Sequence, residues 1–138
     1  MPCGFCELCK MTGRHSTHKN KITGQIWNIN SKITCLTTNV VYKIECRKCD
    51  DFLYIGETGR RFCDRAQDHR GYSNRRDTSH PVGRHFAQLG HDTRDMIPYA
   101  IEEVIPKNND LTRKQREKHW IRRYDAVNQG ANSRFKFC

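Results

Sequence analysis

A chain of 138 residues suffices for one compact domain with a short appendage, and 36% hydrophobic residues is low for a self-sufficient core. No apolar run approaches membrane-spanning length, which excludes a transmembrane helix, and Met1-Pro2-Cys3-Gly4 lacks the basic and apolar stretches of a secretory signal. The net charge of +10, with basic pairs at Arg60-Arg61, Arg75-Arg76 and Arg122-Arg123, favours a phosphate-bearing partner, because each neutralised phosphate releases condensed counterions.

Residues 1–38 form a Cys/His-rich segment carrying Cys3, Cys6, Cys9, His15, His18 and Cys35, with few large apolar residues. Such a segment buries little surface and needs a metal to hold shape. From residue 39 the patterning becomes regular. Val40 to Cys46 is β-rich, with Val40, Tyr42, Ile44 and Cys46 on one face, and Phe52 to Gly56 reads as a second strand. The short connection predicts an antiparallel hairpin, with Ile44 opposite Phe52 and Tyr42 opposite Tyr54. Thr58 caps an expected helix over 59–70 whose inner stripe is Phe62, Arg65, Ala66 and His69. A second helix is expected over Val82–Leu89, closed by Gly90, then a strand over Met96–Val104. A last helix opens at Asp110 or Thr112 and runs to Tyr124, with Thr112 and Gln115 at capping-box spacing. This order predicts a small α/β sandwich: a three-stranded antiparallel sheet flanked by helices, over residues 39–138, behind the metal-binding N-terminal segment.

Two inner stripes hold residues that a plain core avoids. Glu117 lies three, four and seven residues before Trp120, Ile121 and Tyr124, where a carboxylate needs a metal, a cation or hydrogen bonds. Arg65 and His69 share the inner face of their helix, and the planar guanidinium suits phosphate. An internal Arg65–Glu117 ion pair is the plain structural alternative.

Eight cysteines without a signal read as metal ligands in a reducing compartment. Cys46-Arg47-Lys48-Cys49 presents two thiolates from a tight bend, and His85 and His91 follow, so the four fit a closed tetrahedral structural zinc site. Cys3, Cys6 and Cys9 are knuckle-spaced, with Cys35, or else His15 or His18, to complete a second zinc site. Cys63 is expected in the helix core.

Val40-Val41-Tyr42 and Tyr54-Ile55-Gly56, followed by Arg65, His69, Glu117 and Asn132, resemble the GIY-YIG nuclease core across residues 39–134. Val40 stands where that signature has its first glycine. The resemblance implies a DNA endonuclease using one Mg2+ or Mn2+ ion. Glu117 would be the metal ligand and Arg65 the phosphate clamp. Tyr42 or Tyr54 would activate the attacking water, His69 would hydrogen-bond a tyrosine or the phosphate, and Asn132 would organise the metal side. The Cys pair between the motif halves, the His pair beyond the first helix and Gly56-Glu57-Thr58-Gly59-Arg60 are similar to the nucleases of Penelope-like retroelements. That likeness implies a nuclear domain joined to, or acting with, a reverse transcriptase. The alternatives are a non-catalytic zinc-dependent DNA-binding module of the same fold and a disulfide-rich extracellular domain. Oligomeric state and target preference leave no trace in the sequence.

Overall fold

The computed structural model describes residues 33–49 and 52–124, together with the backbone of two short strands, β1 (Thr17–Lys19) and β2 (Ile26–Asn28). β1 and β2 pair antiparallel, His18 opposite Trp27. The main sheet has β3 (Thr38–Cys46) in the centre, β4 (Leu53–Arg61) on one edge and β5 (Met96–Glu103) on the other, all antiparallel. Helices α1 (Phe62–Asn74) and α2 (Pro81–Phe86) follow β4, and α3 (Asp110–Tyr124) follows β5. The element order from β3 onward and the three-stranded sheet are those the patterning predicts, whereas the β1–β2 pair falls in the Cys/His-rich segment, where no strand is expected.

Alternation along β3 divides the core into two layers, because successive side chains point to opposite faces. Val40, Tyr42, Ile44 and Cys46 pack with Phe62, Ala66, Val82, Phe86 and Met96 on the α1–α2 side. On the other side Val41 joins Ile55, Ile101, Val104 and Tyr124 beneath α3.

The hairpin register differs from the expected one. Ile44 lies opposite Tyr54 and Tyr42 opposite Gly56, so the two tyrosines are diagonal neighbours on one face. Phe52 leaves the ladder because its ring stacks on His85 with centroids 3.7 Å apart, which lengthens the connection between the strands. Glycine is required at 56, since a Cβ there would lie 2.4 Å from Tyr42 Oη and 2.6 Å from Cζ.

Three helix boundaries also differ. The β3–β4 ladder continues to the Thr38–Arg61 pair, so α1 starts at Phe62 rather than 59, and Thr58 sits in the strand. The second helix ends at Phe86, and Gly90, at φ +82°, turns the chain beyond it. The cap of α3 is Asn109, whose Oδ1 accepts the Thr112 N–H at 3.0 Å, rather than a Thr112–Gln115 box.

Candidate active site and metal cluster

α1 turns Phe62, Ala66 and His69 into the core and leaves Arg65 half-buried on the same stripe. His69 is fully buried and its Nε2 lies 2.7 Å from Tyr42 Oη, which is itself 1% exposed. Arg65 Nε donates to the same Tyr42 oxygen at 3.1 Å. A guanidinium nitrogen can only donate, so the Tyr42 hydroxyl spends its own proton on His69 Nε2. His69 then carries its proton on Nδ1, which is buried with no hydrogen-bond partner among the described residues. Burial first, then the Arg65 and His80 charges, push His69 well below the usual imidazole range, so the ring stays neutral. Burial raises Tyr42 and Tyr54, while Arg65 opposes the rise in both.

Tyr54 meets His69 edge-on, with ring centroids 5.5 Å apart. Among the described residues the carboxylate paired with Arg65 is Asp68, at 3.3 Å on its own helix, rather than Glu117. The plain Arg65–Glu117 ion pair is therefore not the arrangement found.

Glu117 comes from the opposite layer and meets the site at edge strand β4, within electrostatic reach of Glu57, Lys114 and Arg65. Desolvation raises its pKa, and the neighbouring Glu57 adds to the rise, while Lys114, Arg65 and the Glu57 N–H oppose it. Glu57 itself is neutralised: Arg113 Nε donates to its Oε2 at 2.8 Å and Lys114 Nζ lies 3.1 Å from Oε1. Buried Arg113 also donates to Asn39 Oδ1 at 2.8 Å and pairs with Asp110. Glu117 is thus the less compensated of two adjacent carboxylates, a donor suited to a hard divalent cation.

Asn132 lies outside the described residues, as do Cys3, Cys6, Cys9 and His15, and His18 is placed by its backbone alone, in β1. Cys35 is buried against Val40 and Tyr42, and its backbone oxygen accepts the Cys63 N–H at 2.8 Å.

Cys46, Cys49, His85 and His91 do come together, each offering one ligand atom within 4.8 Å of all the others. A tetrahedral zinc with ordinary Zn–S and Zn–N bonds spaces its ligand atoms by about 3.3–3.8 Å. The Cys49 Sγ to His91 Nε2 distance of 3.1 Å is close to such an edge. The Lys48 N–H points at Cys46 Sγ over 3.4 Å, as in a metal-binding knuckle. The Gln88 side-chain amide packs on His85, its nitrogen donating to the His85 carbonyl oxygen at 2.8 Å and lying 3.1 Å from Nδ1. The donor set and spacing are compatible with zinc.

Four residues near the site were not singled out from sequence. Tyr72 shares the helical face of Arg65 and His69, and its hydroxyl lies 3.5 Å from Arg65 Nη1. Arg113 precedes Glu117 by one turn on the same stripe, so helical periodicity carries a signal for both. Glu57 and His80 carry no periodic signal, and only the tertiary fold brings them in.

Two tyrosines, an arginine, a neutral histidine and a half-buried carboxylate converge on one sheet edge, a setting for chemistry on a phosphate ester. The sequence model of the GIY-YIG catalytic domain matches residues 38–132, and the chain belongs to that family. Membership brings a nuclease-type function with DNA as the implied substrate, and nucleases of this family are metal-dependent. No curated protein and no solved structure matches the chain. No described helix is long and apolar enough to cross a membrane.

Proposed function

We propose that this chain is a metal-dependent DNA endonuclease of the type carried by Penelope-like retroelements, hydrolysing phosphodiester bonds at the edge of β4. The observation that carries the reading is the contact series Arg65 Nε to Tyr42 Oη to His69 Nε2, beside Glu117. Support for the retroelement type comes from the Cys46/Cys49 and His85/His91 pairs gathered into one cluster. In this reading the cluster holds a structural zinc, and the domain works in the nucleus beside a reverse transcriptase, opening target DNA to leave a primer end.

Hydrolysis forms a bond from the water oxygen to phosphorus and breaks the bond from phosphorus to the leaving ester oxygen. Tyr42 Oη takes a proton from the water as its own passes to His69 Nε2. Of the two tyrosines, Tyr42 is favoured because it alone has both an acceptor for its proton and a cation on its oxygen. Arg65 offers its Nη groups to the phosphate oxygens, where charge builds in the transition state. Glu117 would hold one Mg2+ or Mn2+, which when bound supplies Lewis acidity at the leaving oxygen.

The test is conversion of supercoiled plasmid to nicked or linear DNA in magnesium or manganese, beside Arg65→Ala. Turnover by the parent and its loss in the variant are expected. DNA binding with no conversion by folded, zinc-loaded parent would instead mark a non-catalytic binding module.

Tyr42→Phe should slow cleavage by about 10²–10⁴-fold, the usual span for a positioned acid–base group, with Tyr54→Phe affecting it less. The reverse order in single-turnover rates would move the role to Tyr54. Because His69 is held below the ordinary value of 6.5, its neutral, proton-accepting form persists as pH falls through that value. The cleavage rate should accordingly show no acid limb near pH 6.5.

A further inference from the structure

His80 stands beside this site without a part in the chemistry derived above. Its ring lies nearly parallel to Tyr72 with centroids 4.3 Å apart, and 5.1 Å and 5.5 Å from the rings of His69 and Tyr54. It is also the N-cap of α2, its Nδ1 accepting the Val82 N–H at 3.2 Å. Accepting a backbone N–H fixes Nδ1 as unprotonated, so the neutral ring carries its proton on Nε2. The cap and the Tyr72 stack together hold the ring in one orientation. Among the groups facing it, Arg65 opposes the imidazolium and Asp77 favours it; partial burial, the largest influence, keeps the ring neutral. The result is a fixed, neutral N–H donor, partly open to solvent, in the field of the Arg65 guanidinium.

We propose that His80 is a DNA-binding residue of this site, donating its Nε2–H to a phosphodiester oxygen beside Arg65. The proposal rests on the reading of the pocket as a phosphodiester site. The donor is the ring and not the end of the short helix, so the two roles of His80 can be separated by substitution. In His80→Asn the side-chain oxygen takes the place of Nδ1 as cap acceptor, but nothing reaches the position of Nε2. In His80→Gln the amide nitrogen reaches the Nε2 position while the cap is lost.

The experiment measures Kd for a fluorescent duplex without divalent ions, Tm, and kcat/KM with magnesium for parent and both variants. His80→Asn is expected to keep its Tm and to lose roughly 3–10-fold in both Kd and kcat/KM, as for one neutral hydrogen bond, with kcat unchanged. His80→Gln is expected to melt lower yet bind DNA close to the parent. The proposal is overturned if folded His80→Asn binds and cuts like the parent, or if folded His80→Gln loses as much affinity as His80→Asn. Should the parent cut no DNA at all, the nuclease reading fails, while the Kd comparison still decides the role of His80.

Discussion

Glu117→Gln should abolish plasmid cleavage, by about 10³-fold or more, while leaving the protein at least as stable as the parent when no magnesium or manganese is added. The activity loss follows from removing the carboxylate that would hold the metal, whose charge stabilisation amounts to several kcal/mol. The stability effect follows from the environment of Glu117. Desolvation and the adjacent Glu57 raise its pKa, so the ionised form is less favourable in the folded chain than in the unfolded one. That penalty is present at pH values above the raised pKa and disappears below the ordinary value of 4.5. A neutral amide of the same shape avoids it, so any advantage in Tm should be largest near neutrality and vanish towards pH 4.5. Added magnesium should raise the Tm of the parent and leave that of the variant unchanged, since only a species that binds the folded state stabilises it. Appreciable cleavage by folded Glu117→Gln would remove the proposed mechanism, and a magnesium-dependent Tm in the variant would place the metal elsewhere.

Removing zinc should have the largest effect on the fold. Cys46 and Cys49 close the β3–β4 connection, His85 sits on α2, and His91 follows the Gly90 turn, so one ion would tie three segments together. α2 has six residues, too few to persist without tertiary support. Phe52 adds its share only while His85 is held for it to stack on. Chelation, or Cys49→Ser, is expected to cost at least about 3 kcal/mol, or about 10–20 °C in Tm, given the size of structural zinc contributions. Hydrogen exchange should show residues 81–95 losing protection first while the β3–β4–β5 sheet persists. Elemental analysis of protein purified without added zinc should find the metal, and Cys49→Ser should carry one ion fewer per chain. A Tm indifferent to chelation in protein lacking zinc would overturn this assignment.

Several features of this architecture are local and therefore readable along the chain. The alternation through Val40, Tyr42, Ile44 and Cys46 fixes which side chains of β3 share a face, whatever the strand pairs with. The three- and four-residue spacing of Phe62, Arg65, Ala66 and His69 does the same for α1, and it is why an arginine and a histidine could be placed beside an apolar core before any fold was known. The Cys pair and His pair also announce their chemistry by residue type, although 36 positions separate Cys49 from His85.

Longer-range competition decided the rest. The hairpin register turned on Phe52, which is drawn to His85 and so leaves the ladder, putting Gly56 rather than Tyr54 opposite Tyr42. The start of α1 was set by strand pairing that carries β4 through Thr58 to Arg61, overriding the local capping preference of threonine. Glu57 is a case in point: its two cations, Arg113 and Lys114, lie on a helix more than fifty residues away, so nothing near it in the chain indicates that it is neutralised.

Sequence alone therefore determined the element order from β3 onward, the faces of β3, α1 and α3, and the residue types able to do phosphate chemistry, because these follow from periodicities of two and 3.6 residues and from side-chain chemistry. Tertiary structure alone decided which of those residues meet. Tyr42 binds both Arg65 and His69, Glu117 joins at the β4 edge, Asp68 takes the ion pair that Glu117 could have had, and His80 comes alongside through its cap on α2. Such contacts depend on register and on packing between elements, where one residue of slip or one displaced ring changes every partner.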